Sequence, residues 1–148
     1  MRRRNSLAAE TQERGRRVAS VPIDLAVEKA GDVCFVTPSR SLDASNSLDF
    51  RLAMGPVMED NPKVALDMRN VAFVDSFGLQ TIISCLRQLN AAGGDLKVFN
   101  LTPRVLLTFR LVRLNRLLEI LETRDQVIKA FARKEKEEGE GEETEEKE

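Results

Sequence analysis

Residues 63–94 read KVALDMRNVAFVDSFGLQTIISCLRQLNAAGG, and this stretch decides the fold. Val64, Leu66 and Met68 alternate with Ala65, Asp67 and Arg69, the pattern of a strand, before a polar turn at Asn70. A second apolar group, Val71–Val74, stops at Asp75-Ser76-Phe77-Gly78. From there the period changes. Leu79, Ile82, Ile83, Leu86 and Leu89 recur at helical spacing until Gly93-Gly94 ends the run. A short polar pair is thereby held at a strand-to-helix junction, where backbone N–H groups lack partners and added negative charge is favoured. Ser76 is the first candidate for a functional residue.

Alternating elements extend outward from this unit. Ile23–Ala30 reads as a strand, Gly31-Asp32 as a tight turn and Val33–Thr37 as its hairpin partner, limited by Pro38. Leu42–Asn46 supplies capping candidates for a helix over Ser47–Glu59, with Leu48, Leu52, Met54 and Met58 as its expected buried stripe. Pro56 removes the bond to the Leu52 carbonyl, so this helix is expected to kink or end early. Asp95–Asn100 forms another strand. Thr102-Pro103 opens a helix, a hydroxyl cap followed by proline at the first helical position, which breaks near Arg113. Leu117–Leu121 is a final edge strand, and Thr123–Gln126 matches a capping box for a last helix with Val127, Ile128, Ala130 and Phe131 inward. The order predicts a single α/β domain: a mixed sheet of four to five strands with about four helices packed on it.

Composition narrows the chemistry. The 148 residues include no His, Trp or Tyr, so neither a Ser-His-Asp nor a Cys-His nucleophile can be built, and the commonest zinc ligand is missing. Cys34 and Cys85 stand far apart in a strand and a helix and read as buried reduced thiols, with no metal or cofactor implied. No apolar window is long enough to span a membrane, which leads to the expectation of a soluble, cytoplasmic protein without membrane insertion.

Charge is uneven: residues 1–20 carry six Arg against two Glu, whereas 133–148 carry four basic residues against nine Glu. Neither end has apolar periodicity. Residues 1–20 are therefore expected to form a disordered basic arm and 133–148 a disordered acidic tail, flanking a domain at 21–132. Six arginines facing the chain's own acidic tail give no case for direct nucleic-acid binding. Arg3-Arg4-Asn5-Ser6 has the form of a basophilic kinase substrate, a pattern that solvated charge explains equally well. Arg104, Arg110, Arg113 and Arg116 make the C-terminal helix region basic, as a solvated face or as a surface for an acidic partner.

With these elements placed, the chain resembles the STAS domain of bacterial anti-sigma factor antagonists over Ile23–Arg133. Leu42-Asp43-Ala44 resembles the family's L-D-A before the first helix. Leu66 through Leu79 resembles the signature L-D-(L/M)-x-x-V-x-F-(I/V/M)-D-S-(S/A)-G-L, and Thr102-Pro103 through Leu117-Leu118 its C-terminal third. The resemblance implies a binding module and not an enzyme. It places Ser76 where the family carries a phosphorylated serine, with Asp43, Asp75, Phe77, Gly78 and Leu79 as partner-binding residues. It implies an anti-sigma factor with serine-kinase activity as the partner of the unphosphorylated form, a PP2C-like phosphatase that restores that form, and a monomer when free. A scaffold subunit without a phosphorylation cycle, in a lipid-transport or stress-sensing assembly, is the alternative. Locally, Ser76 or Asp75 could equally be a helix N-cap, and Gly78 could admit a partner or a neighbouring strand. Phe77 replaces the small residue usual after the serine; either it anchors a partner or it folds into the core. Arg113 stands where the family often has Gly.

Overall fold

The computed structural model describes residues 22–147, with backbone alone at 134 and 138–147; the expected basic arm at 1–20 lies outside the described residues. Five strands form one sheet in chain order: β1 (Leu25–Ala30), β2 (Val33–Pro38), β3 (Lys63–Asp67), β4 (Asp95–Phe99) and β5 (Glu119–Leu121). β1 pairs antiparallel with β2, and every later neighbour is parallel. Gly31, at φ +64°, supplies the left-handed residue that the β1–β2 turn requires. Parallel neighbours need crossovers, and each carries a helix: α1 (Ser47–Asp60), α2 (Ser76–Ala91) and α3 (Pro103–Leu111). A short 3-10 turn at Leu114–Arg116 leads into β5, and α4 (Arg124–Lys147) follows.

The period-2 alternation of the strands sorts the core into two layers. Cys34, Val36, Val64, Leu66, Leu96 and Val98 face Phe50, Met54, Ile82, Leu86, Val105 and Phe109 of α1, α2 and α3. Val33, Phe35, Ala65 and Phe99 face Val127 and Phe131 of α4. The central strands are covered on both sides, which is why they read as nearly unbroken apolar runs. Lys97 is the exception on the α4 side. Its buried ammonium lies 3.2 Å from Asp95 Oδ2, 2.9 Å from Glu119 Oε1 and 4.7 Å from the Phe131 ring centre, so its charge is met on every side.

Ile128, expected on the inner side of the last helix, is 40% exposed, and further sequence expectations are corrected. Leu48 and Leu52 do not belong to the buried stripe of α1; they are 60% and 67% exposed, and Phe50 is buried with Met54 and Met58 instead. At about 100° per residue, positions 48 and 52 fall opposite positions 50, 54 and 58, so the four expected residues never shared a face. Nor does α1 stop at Gly55-Pro56. Pro56 and Leu52 are both exposed, so water can reach the backbone that the proline leaves unpaired, and burial of Met58 anchors the final turn. Helix α4 itself extends to Lys147, into the segment 133–148 expected to be an acidic tail. Glu and Lys are good helix formers, and a helix already docked by Val127, Ala130 and Phe131 needs no new nucleation to extend. At the start of that helix half of the expected capping box forms, Gln126 N–H donating to Thr123 Oγ1, whereas Gln126 Oε1 accepts from Glu122 N–H, one residue before the cap.

Candidate functional site

Asp75, not Ser76, caps α2. Its backbone is extended at φ −90° and ψ −174°, and its Oδ1 accepts from Gly78 N–H at 2.9 Å. The other oxygen, Oδ2, accepts from Ala44 N–H at 3.0 Å, and Asp75 N–H donates to the Leu42 carbonyl at 3.1 Å. One carboxylate thus joins the helix start to the loop before α1. Leu42 and Val74 form an isolated parallel bridge at the same place. The approach is close: a Cβ on Gly78 would stand 2.5 Å from the Leu42 carbonyl oxygen. The neighbouring loop therefore accounts for Gly78.

Asp43 shapes that loop. Its Oδ1 accepts from Ser45 N–H at 2.9 Å and from Ser45 Oγ–H at 2.5 Å, a local turn built by the side chain. Buried Asn46 completes it, accepting from Asp43 N–H and donating to the Ser41 carbonyl. Asp43 and Asp75 therefore meet through two consecutive loop residues, Ala44 and Ser45. Leu79 is half-buried and packs on the core.

Ser76 is left with no capping duty. It occupies the first position of α2, exposed, with the positive end of the helix dipole beneath it. Phe77 beside it is 55% exposed and stays out of the core. Across the gap to α1, Leu48, Arg51, Phe77 and Gln80 line a shallow groove of about 190 Å³. Leu48 and Leu52 continue the apolar surface one turn apart. An exposed hydroxyl thus sits at the edge of a small apolar patch, an arrangement suited to docking. Beneath α2, burial pushes the Cys85 thiol up to about 11 and also raises Cys34. Among the described residues, no group of His, Cys, Asp and Glu side chains could hold a metal ion, and no helix is long and apolar enough to cross a membrane.

A family model described as the STAS domain matches residues 24–127. The chain belongs to the STAS domain family. Solved structures agree on the fold. A candidate anti-sigma factor antagonist from Thermotoga maritima is 21% identical, with 72% of this chain and 92% of that one covered at a TM-score of 0.68. An anti-sigma factor antagonist from Mycobacterium paratuberculosis is 25% identical, with 75% and 97% covered at 0.66. The Bacillus cell fate determinant SpoIIAA, solved in its phosphorylated form, is 16% identical, with 73% and 99% covered at 0.56. No curated protein matches the chain. The sheet, expected with four to five strands and about four helices, has five strands and four α-helices among the described residues, the STAS fold of these structures.

Some features of this STAS domain escaped the sequence reading. The exposed Leu48–Leu52 pair was hidden because α1 carries two apolar faces, and i,i+4 spacing alone does not say which is buried. The Arg104 guanidinium lies 5.4 Å from the ring centre of Phe73, a contact between residues far apart in sequence. At Arg113 the departure from Gly has a backbone meaning: its φ is +60°, a conformation glycine adopts without cost.

Proposed function

We propose that this STAS domain is an anti-sigma factor antagonist, active when Ser76 is unmodified and switched off when a partner kinase phosphorylates it. The observation that carries the reading is the division of labour at the head of α2. Asp75 caps the helix and holds the loop, while Ser76 stands exposed next to Phe77, which lines a groove with Leu48. SpoIIAA, of the same fold, has been solved both phosphorylated and unphosphorylated, which supports a fold that tolerates the modification. The free domain can accept a phosphate at Ser76 because the helix terminus favours the added charge of about −1.5 to −2. A partner packed on Phe77 and Leu48 cannot do so without burying that charge or displacing it. The cost is on the order of 2–4 kcal/mol, a loss between about thirtyfold and a thousandfold in affinity. The anti-sigma factor is then the kinase, a PP2C-like phosphatase reverses the mark, and the domain performs no catalysis.

The test joins modification to binding. Fragment-mass analysis of the protein from its native cell is expected to find phosphate on Ser76, varying with growth condition. With the co-purifying anti-sigma factor in hand, Ser76→Asp is expected to bind at least thirtyfold more weakly than Ser76→Ala, with both variants melting alongside the parent. An unmodified Ser76 under all conditions, with equal binding by both variants, would instead leave a constitutive scaffold subunit.

A further inference from the structure

Helix α3 has two apolar faces, and the core uses one. Val105 and Phe109 are fully buried, whereas Leu107 and Leu111 are 58% and 74% exposed. At about 100° per residue, Arg104, Leu111, Leu107 and Arg110 fall within one arc of about 120°, opposite Val105 and Phe109. Phe73, under the Arg104 guanidinium, widens this stripe at its N-terminal end. The left-handed residue Arg113 then turns the chain, and exposed Arg116 and Leu117 follow.

Charge sets this corner apart. Residues 103–117 hold four arginines and no acidic residue. Among the described residues, none of the four guanidinium groups has a carboxylate partner, which is also true of Arg40, Arg51 and Arg87; what sets the corner apart is that four such groups share one short segment. Helix α4 packs on the opposite face of the sheet. This side of the domain is therefore basic and apolar.

The interleaving of leucine with arginine selects the occupant. These side chains occupy the outward face of a short helix. Leucines spaced one turn apart can dip into the boundary between headgroups and acyl chains, while flanking guanidiniums stay at the phosphates. An anionic bilayer conforms to such a face and needs no preformed cavity, and each basic residue near its surface adds attraction. We infer that α3 and the turn after it form a peripheral docking surface for an anionic lipid bilayer, separate from the Ser76 patch. Docked this way, helix α4 is on the side away from the membrane.

Co-sedimentation of the full chain with vesicles tests this. The parent is expected to pellet with vesicles of equal parts phosphatidylglycerol and phosphatidylcholine, to stay in solution with phosphatidylcholine alone, and to be released by salt. The double variant Leu107→Asp/Leu111→Asp is expected to partition about tenfold less or weaker still, with an unchanged melting curve because both positions are exposed. The pair Arg110→Glu/Arg116→Glu is expected to lose binding similarly. Failure of the parent to pellet with the anionic vesicles overturns the proposal and leaves the corner to an acidic protein surface. Equal binding by the parent and the leucine variant also overturns it, because the arginines of residues 1–20 would then suffice.

Discussion

Replacing Gly78 by alanine sets two physical effects against each other. Gly78 lies in the first turn of α2, and on helix propensity alone the change should stabilise the protein by up to about 1 kcal/mol. Tertiary packing opposes it. The new methyl would stand 2.5 Å from the Leu42 carbonyl oxygen, 2.8 Å from Val74 Cγ1 and 2.9 Å from the Leu42 carbonyl carbon. Two of these atoms are backbone, which cannot turn aside as a side chain can. Overpacking of this kind costs about 1–3 kcal/mol. If the loop yields instead, it gives up the bonds from Ala44 N–H to Asp75 Oδ2 and from Asp75 N–H to the Leu42 carbonyl, each worth about 1 kcal/mol. The net expectation is a loss of about 1–2 kcal/mol, or roughly 4–8 °C in Tm. Urea unfolding should show a lower midpoint with an unchanged slope. Gln80→Ala, on the exposed side of the same helix, should stay within about 0.5 kcal/mol of the parent. A Gly78→Ala protein as stable as the parent, or more so, would refute the claim that the Leu42 loop is clamped to the head of α2.

The other predictions concern stability and reactivity. Arg113→Gly should raise stability by about 0.5–1 kcal/mol in urea unfolding, since it relieves a left-handed backbone at φ +60°; a loss would mean the side chain contributes more than its strain costs. Burial raises the Glu119 carboxyl, but the hydrogen bonds and charges of Lys97 and Arg133 outweigh it and hold the pKa below the usual glutamate value. The stability this contributes is present above the ordinary glutamate pKa and is lost as pH falls through the lowered one. Melting temperatures between about pH 6 and 3 should therefore fall less steeply in Lys97→Met than in the parent, and an unchanged acid slope would exclude Lys97 as the main cause. With its pKa pushed up to about 11, Cys85 should resist an aromatic disulfide reagent in the folded protein, as should buried Cys34. Both should react in urea, and rapid labelling without denaturant would show that α2 opens locally.

Much of the fold was legible because its signals are local. Alternation in Val64–Met68, the change of period after Asp75 and the Thr102-Pro103 cap each depend on residues a few positions apart. The Thr102 hydroxyl does accept from Val105 N–H. Helix α1 was misjudged where local rules compete. Its two apolar faces were indistinguishable until the sheet covered one of them, and Pro56 proved harmless because water can reach the backbone it leaves unpaired. At the acidic end, composition argues against a core but not against a helix continuing from one already docked.

At the candidate site, the Asp75-Ser76 pair at the head of a helix was specified by sequence, since a strand-to-helix change of period can be read along the chain. Which of the two residues caps the helix was decided by tertiary structure. Leu42 and Ala44, more than thirty positions away in sequence, bring a carbonyl and an N–H to Asp75 and fix both of its oxygens. The same approach explains Gly78 and leaves Ser76 exposed. Sequence named the residues because periodicity is local; the structure divided the roles because burial and hydrogen-bond partners are set by segments distant along the chain.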